Sequence, residues 1–217
     1  MLRYAITDRA RFKGDEPARR TALIAQAARL AAAGVDFLQL RERDLSAADL
    51  ASLARRLLAV LRADPRRPAP KLLINSRADI ALAAGADGVH LTSSPNELTP
   101  PQLRALYAAA GLPEPVISLS CHTLDEVARA ASSAPDERPT LILFGPVFEK
   151  VIAGDRATGK SRVDKKIARG SGLDLLRAAC AAAVPVPVLA LGGVTRANTA
   201  ATLAAGAAGV AAIRLFL

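Results

Sequence analysis

The chain has 217 residues, of which 51% are hydrophobic and 23% are charged, a balance that excludes a disordered protein. No apolar run approaches the roughly 18 residues that a membrane span requires, so we expect no membrane association. The net charge is +9 but only 3% of the residues are aromatic, which favours small anions over nucleic acid as partners.

The cysteines and the N-terminal residues indicate a cytoplasmic protein. Cys121 and Cys180 are far apart and form no CxxC motif, which is typical of a reduced protein without a zinc site. The first residues contain no apolar signal core, so we expect no export.

Eight short segments rich in Val, Ile and Leu alternate along the chain with longer alanine-rich segments. They lack a strict apolar–polar alternation, as expected of parallel strands that are buried on both faces. The predicted strands are Arg3–Thr7, Phe37–Arg41, Leu72–Asn75, Gly88–Leu91, Val116–Ser120, Thr140–Gly145, Val186–Leu191 and Gly209–Ile213.

Helical segments lie between these strands and begin at capping residues. Ser46, Thr99 and Thr123 are each followed three positions later by Asp, Gln or Glu, the pattern of a helix N-terminus. The predicted helices are Glu16–Ala33, Ser46–Arg62, one that begins after Thr99, Leu124–Ala131, Leu173–Ala183 and Arg196–Ala205.

Eight strand–helix repeats predict a single α/β domain over residues 1–217, a TIM (β/α)8 barrel. Only Arg214–Leu217 follow the eighth strand, so we expect a truncated or missing last helix. Either a second subunit completes the wall or an apolar groove stays open. A doubly wound sheet is the alternative, disfavoured because no GxGxxG motif follows the first strand.

The glycines after the seventh predicted strand indicate a phosphate site. TIM barrels hold their chemistry at the C-terminal ends of the strands, and phosphate often binds after strands seven and eight. Gly192 and Gly193 lie there, ahead of a helix, and their amides can approach an anion. Arg214, after the eighth strand, would add a charged contact. The alternative is an ordinary tight turn.

The segment QLRER, in which the second predicted strand ends, places Gln39, Arg41 and Arg43 on one side, towards the barrel mouth. A buried arginine is costly unless it is paired. The sequence leaves two roles open for Arg41: an ion pair with a carboxylate such as Asp8, or binding of a substrate anion.

The chain has two histidines, one directly after a predicted strand and one within a predicted strand. His122 lies just after the fifth strand, where it can transfer protons near neutral pH or merely pack at the rim. His90, within the fourth strand, is expected to be structural, and Cys121 to be a packing residue.

Residues 148–170 form a long, basic, glycine-containing segment, too long for a plain connection. We interpret it as a lid or binding loop, with a solvated loop as the alternative. Its candidate contacts to an anionic substrate are Lys150, Lys160, Lys165 and Lys166.

Several strings along nearly the whole chain resemble one known superfamily. They are AITD, FLQLRER, LLINSRADIALAAGADGVHL, ISLSCHTLDEVARA, LFGPVFE and VPVLALGGVT. Together they resemble the thiamine-phosphate synthase/thiazole tautomerase superfamily, whose members are (β/α)8 barrels and usually homodimers. A synthase of this kind joins hydroxymethylpyrimidine diphosphate to a thiazole phosphate with Mg2+ and releases pyrophosphate. A tautomerase moves a proton on a carboxythiazole phosphate without a metal.

The resemblance implies roles for individual residues. Those matching synthase contacts to the pyrimidine diphosphate or the thiazole phosphate are Gln39, Arg41, Asn75, Ser120 and Gly193. Arg43 stands where a synthase usually has Lys, and His122 matches the proton-transfer residue of a tautomerase.

Departures from the synthase pattern concern the metal. Ser76 stands at a position where a synthase has a Mg2+-binding Asp, and after the fourth strand no carboxylate occurs until Glu97. Hydroxyl groups are poor substitutes for the anionic oxygen ligands of Mg2+. FEKVIAG replaces a Pro-Thr-x-Thr-Lys loop, and Arg214 replaces a phosphate-binding Ser.

These departures, with the RER and FE strings, favour the tautomerase branch. We therefore expect a metal-independent tautomerase without a cofactor, in which His122 is the acid–base group. The alternatives are a Mg2+-dependent thiamine-phosphate synthase and a non-catalytic thiazole-phosphate binder.

Overall fold

Eight parallel strands form a closed barrel in the computed structural model, which describes residues 1–94, 96–152 and 166–217 and, for 150–152 and 166–168, the backbone alone. The barrel strands are β1 (Leu2–Ile6), β2 (Phe37–Leu40), β3 (Lys71–Asn75), β4 (Gly88–Leu91), β5 (Val116–Cys121), β6 (Leu141–Phe144), β9 (Val188–Leu191) and β10 (Gly209–Ala212). Two further strands between β6 and β9, β7 (Lys150–Ile152) and β8 (Lys166–Ala168), form a separate sheet. Around the barrel the order is β1, β2, β3, β4, β5, β6, β9 and β10, which pairs again with β1. The predicted TIM barrel is confirmed, and the doubly wound alternative is wrong.

Helices cover the outside of the barrel. They are α1 (Glu16–Ala32), α2 (Ala47–Leu61), α3 (Ala78–Ala84), α4 (Pro100–Ala109), α5 (Leu124–Ser132), α6 (Gly172–Ala182) and α7 (Arg196–Ala204). The predicted caps are confirmed: the side chains of Ser46 and Thr123 accept from the amides of Asp49 and Glu126, and Thr99 begins a capping box. The short helix α3 was not predicted, since it begins without a side-chain cap at Arg77.

Alternate residues of each strand face the barrel interior or the helices. On β3, Leu73 joins an interior cluster with Tyr4 and Leu143, while Leu72 and Ile74 pack under the helices. Towards the C-terminal ends the interior positions become polar, with Asn75, His90 and Ser118 in register on β3, β4 and β5. The sequence therefore places polar side chains together at one end of an apolar core.

A 3₁₀ turn, Arg214–Phe216, follows β10. The carbonyl of Phe216 accepts from Nε2 of the buried Gln26 on α1 at 2.7 Å. The ring of Phe216 packs against the clusters under the helices. The homodimer and the cytoplasmic location stay predictions.

The segment after β6 is more regular than expected. Its ends form a two-stranded antiparallel sheet in which Val151 pairs with Ile167. Lys160 and Lys165 lie outside the described residues, as do the side chains of Lys150 and Lys166, so their substrate contacts stay predictions. Across the described ranges, no helix is both long and apolar enough to cross a membrane.

Candidate active site

A row of hydrogen bonds crosses the C-terminal ends of β2 and β3 and reaches the loop after β4. Gln39 Nε2 donates to Asn75 Oδ1 at 2.8 Å, and Asn75 Nδ2 donates to Ser76 Oγ at 3.1 Å. Ser76 Oγ in turn donates to Glu97 Oε1 at 2.7 Å. Each of these groups donates in the direction of Glu97, so the row ends at a carboxylate. At the other end of the row, the buried Oε1 of Gln39 has no hydrogen-bond partner among the described residues.

Glu97 is the site residue that sequence reasoning set aside. Its Oε1 also accepts from Thr92 Oγ1 at 2.6 Å, and the side chain is half-buried. Ser76 has a φ of +56°, a left-handed conformation that is uncommon for a residue with a side chain and is often found at functional sites. The sequence feature that points to Glu97 is the pair of hydroxyls on Ser76 and Thr92. These residues follow adjacent strands, and one carboxylate between them can accept hydrogen bonds from both.

A buried histidine lies beside this row, inside the barrel. His90 is 4% exposed, and its Nδ1 and Nε2 lie 2.8 Å and 3.0 Å from the hydroxyls of Ser118 and Ser120. Tyr4 OH lies 2.9 Å from Ser118 Oγ. Burial lowers the pKa of His90 to about 3, so the ring is neutral near pH 7, with one nitrogen donating and the other accepting. Burial also raises the pKa of Tyr4.

Arg41 and Arg43 bring positive charge to the same end. Both lower the pKa of His90, which places them near its ring. Burial, followed by the charge of Arg43, lowers the pKa of the half-buried Arg41. Asp8 pairs with Arg11 at 2.8 Å, and within the described chain no carboxylate lies within ion-pair distance of Arg41 or Arg43. Of the two roles that the sequence left open for Arg41, the ion pair with Asp8 is wrong.

The Gly192–Gly193 turn has positive φ values of +91° and +66°. A Cβ on Gly193 would lie 2.7 Å from Phe148 Cβ, and one on Gly192 would lie 2.7 Å from Pro146. Close packing against the segment after β6 therefore requires glycine at both positions. Arg214 is exposed and follows β10, the neighbour of β9, so the structure brings the predicted phosphate residues to adjacent strand ends.

His122 lies apart from this cluster. It is exposed at the end of β5, where its Nδ1 donates to the carbonyl of Gly145 and its amide to Glu126. The preceding Cys121 is buried among apolar side chains, as expected, and burial raises its pKa to about 12. The inward-facing residue of this strand end is Ser120.

Glu97 provides a candidate metal ligand at the mouth. In the part of the chain that the structure describes, no three Asp, Glu, His or Cys side chains group to hold a metal ion. Oε2 of Glu97 accepts no hydrogen bond there, since both hydroxyls donate to Oε1. Mg2+ is often bound through one or two carboxylates, with phosphate oxygens and water completing its shell. The residues therefore fit a Mg2+ ion that takes most of its ligands from a phosphorylated substrate.

Comparison with known proteins identifies the family. The family model described as thiamine monophosphate synthase matches residues 3–216. The chain belongs to this family. The thiamine-phosphate synthase of Koribacter versatilis is 36% identical over 210 residues, which cover 97% of this chain and 86% of that protein. The thiamine-phosphate synthase of Methanoculleus marisnigri is 37% identical over 187 residues, which cover 86% of this chain and 76% of that protein.

A solved structure supports the fold. Thiamine phosphate pyrophosphorylase from Pyrococcus furiosus superposes with a TM-score of 0.70 at 24% identity, covering 98% of this chain and 85% of that one. The structure thus carries the barrel of the family.

The expectation of a thiazole tautomerase is wrong, because relatives that match most of the chain at 36–37% identity are named as thiamine-phosphate synthases. The expectation was wrong because the sequence shows no carboxylate at the positions where Mg2+ ligands are expected. Ser76 and Thr92 carry no charge, but the structure shows that both donate to a carboxylate, Glu97, from a loop that the sequence argument had discounted.

Proposed function

We propose that the chain is a Mg2+-dependent thiamine-phosphate synthase. It joins hydroxymethylpyrimidine diphosphate to a thiazole phosphate and releases pyrophosphate. The observation that carries the proposal is the combination, at one end of the barrel, of two arginines without carboxylate partners in the described chain and a carboxylate held by two hydroxyls. A complex of diphosphate with Mg2+ matches this arrangement, because the arginines can bind the anion and the carboxylate can bind the cation.

The diphosphate binds to Arg41 and Arg43. Arg41 is half-buried and so keeps an incompletely solvated charge, for which a diphosphate supplies charge-assisted hydrogen bonds. Ser120 adds a hydroxyl whose orientation is fixed by its bond to His90.

The pyrimidine ring binds to Gln39. Its Nε2 is committed to Asn75, which leaves the buried Oε1 as an acceptor without a donor. A buried unsatisfied acceptor is costly, and an N–H group of the pyrimidine relieves that cost. This pairing orients the ring relative to the arginines that hold its diphosphate.

Glu97 would hold Mg2+ through its carboxylate, oriented by the hydroxyls of Ser76 and Thr92. When bound, Mg2+ stabilises the negative charge that develops on the departing pyrophosphate. The arginines assist this step by holding the same oxygens.

The thiazole phosphate binds at the Gly192–Gly193 turn with Arg214. Glycine amides at the start of α7 can approach an anion closely, and Arg214 contributes a positive charge from the neighbouring strand end.

The experiment is a two-substrate assay with the purified chain. Hydroxymethylpyrimidine diphosphate and thiazole phosphate are incubated with Mg2+, with excess chelator, and each without the other. We expect thiamine phosphate only when both substrates and Mg2+ are present. Absence of product in the complete mixture, or equal rates with chelator, would overturn the proposal.

A further inference from the structure

Arg9 is a buried arginine outside the substrate contacts described above. It lies in the short 3₁₀ turn after β1, is 6% exposed, and binds three carboxylates. Its Nε donates to Glu16 at 2.8 Å and its Nη1 to Glu42 at 2.9 Å. Nη1 and Nη2 bind Asp44 in a bidentate manner at 2.7 Å and 2.6 Å.

Glu42, one of these three acids, stands between the two arginines of the mouth. It is 5% exposed, and the backbone amide of Arg9 also donates to it, at 3.1 Å and 3.3 Å. The hydroxyl of Thr7 accepts from the amide of Arg41 at 2.9 Å. Arg9 therefore holds Glu42 in the barrel wall, and Thr7 fixes the backbone of the segment that carries Arg41.

Two of the three acids bound by Arg9 flank the arginines of the mouth in the sequence. Glu42 is adjacent in sequence to both Arg41 and Arg43, and Asp44 is adjacent to Arg43. Both acids are engaged by Arg9, and no carboxylate of the described chain pairs with Arg41 or Arg43. Two unit charges a few ångströms apart near a protein surface interact strongly enough to change anion affinity by about tenfold or more.

We propose that Arg9 is a positioning residue that binds Glu42 and Asp44 and thereby keeps Arg41 and Arg43 available for the diphosphate. Without Arg9, the Glu42 carboxylate loses the cation that balances it, and its negative charge near Arg41 opposes binding of the diphosphate. The inference rests on the proposed function only in naming diphosphate as the anion.

The test measures binding of inorganic pyrophosphate with Mg2+ by calorimetry to the wild-type protein, Arg9→Gln, Glu42→Gln and the double variant. We expect Arg9→Gln to weaken binding about tenfold in the wild-type background. In the Glu42→Gln background the same change should cost less than about a third of that factor, because the competing charge is gone. An equal cost in both backgrounds would overturn the proposal.

Arg9→Gln leaves Glu42 buried without its partner, which is destabilising, so the folded fraction is checked by circular dichroism. If this variant does not fold, Arg9→Lys replaces it, because lysine keeps the charge but cannot form the bidentate contact with Asp44. Arg9→Lys should then bind pyrophosphate more weakly than the wild type, and the deficit should shrink when Asp44→Asn removes the acid that lysine no longer holds. A deficit unchanged by Asp44→Asn would again contradict the role.

A matched control is Arg20→Gln. Arg20 shares Glu16 with Arg9 at 2.8 Å and binds Asp49 at 2.8 Å, but it does not contact Glu42 or Asp44. It should leave pyrophosphate binding within about twofold of the wild type, because it does not neutralise an acid next to the mouth. A tenfold loss with Arg20→Gln would show that general disruption of the ion network explains the Arg9 effect.

Steady-state turnover separates positioning from general damage. In the synthase assay Arg9→Gln should raise KM for the pyrimidine diphosphate more than it lowers kcat, and a loss confined to kcat would contradict the role. A wild-type protein that shows the expected pyrophosphate pattern but forms no thiamine phosphate would overturn the proposed function and leave this inference standing. A wild-type protein that binds no pyrophosphate would overturn the inference.

Discussion

His90 Nε2 lies 3.0 Å from Ser120 Oγ, and this contact joins the barrel core to the substrate mouth. The other nitrogen of the ring lies 2.8 Å from Ser118 Oγ, so the imidazole spans two hydroxyls of β5 from its place on β4. Burial, together with the positive charges of Arg41 and Arg43, disfavours a protonated ring, which is why the neutral form prevails.

The first prediction concerns the pH dependence of stability. Burial lowers the pKa of His90 from 6.5 to about 3, so between these values the unfolded chain binds a proton that the folded chain does not. Stability contributed by the neutral ring is complete above pH 6.5 and is lost as the pH falls towards 3. We expect this residue to account for a loss of about 2 kcal/mol in the free energy of unfolding between pH 7 and pH 5.

Urea denaturation of the wild type and His90→Gln at pH 7 and pH 5 measures this loss. The variant should lose less stability over the interval, whatever its stability at pH 7. His122→Gln is the matched control, because it removes the other histidine from an exposed position and should retain the wild-type loss. An identical loss in the wild type and His90→Gln would contradict a buried neutral imidazole.

The second prediction concerns Arg41. Arg41→Met keeps the apolar stem and removes the charge, so we expect about tenfold or greater weakening of pyrophosphate binding, the size of a charge-assisted contact in a partly buried site. Arg56→Met, on the exposed face of α2, is the control and should bind as the wild type does. Calorimetry compares the three proteins, and equal affinities would rule out Arg41 as a diphosphate ligand.

The third prediction concerns Glu97. In Glu97→Gln the amide oxygen can still accept the hydrogen bonds from Ser76 and Thr92, but the anionic ligand is gone. Wild-type pyrophosphate affinity should rise with added Mg2+, and the variant should lose most of that rise. Glu114→Gln, an exposed acid paired with Arg104, is the control. If Mg2+ strengthens binding equally in Glu97→Gln and the wild type, the carboxylate does not hold the ion.

The fourth prediction separates packing from backbone strain at Gly193. Gly193 and Gly85 have nearly equal φ values of +66° and +67°, but only a Cβ on Gly193 would meet other atoms, at 2.7 Å. Alanine at Gly85 should cost about 1 kcal/mol for the left-handed backbone, and alanine at Gly193 about 2 kcal/mol more. Urea midpoints measure both, and equal costs would show that the Phe148–Glu149 segment yields to the new methyl group.

The sequence predicted the barrel because its signals are local. Leu72, Leu73 and Ile74 are apolar on both sides of a strand, and Thr123 stands three residues before Glu126 at a helix start; both patterns can be interpreted within a few residues. The hairpin of β7 and β8 was missed, since each strand has three residues and lies in a basic segment without an apolar pattern.

The site was less predictable, because its contacts are long-range. The family resemblance implies that Gln39 and Asn75 contact one ligand, and the structure joins them by a hydrogen bond across adjacent strand ends. The bond between Ser76 and Glu97 spans 21 residues through an irregular loop, which no periodicity reveals. That bond changes the charge at the metal position, and its omission led to the wrong activity.

The most direct test of the central claim is phosphorus NMR of one reaction mixture that contains the protein, hydroxymethylpyrimidine diphosphate, thiazole phosphate and Mg2+. The account predicts that thiamine phosphate and pyrophosphate appear in equal amounts at the wild-type rate, and at least about tenfold more slowly with Glu97→Gln. Substrate resonances that stay unchanged with the wild-type protein, or equal rates for both proteins, would contradict it.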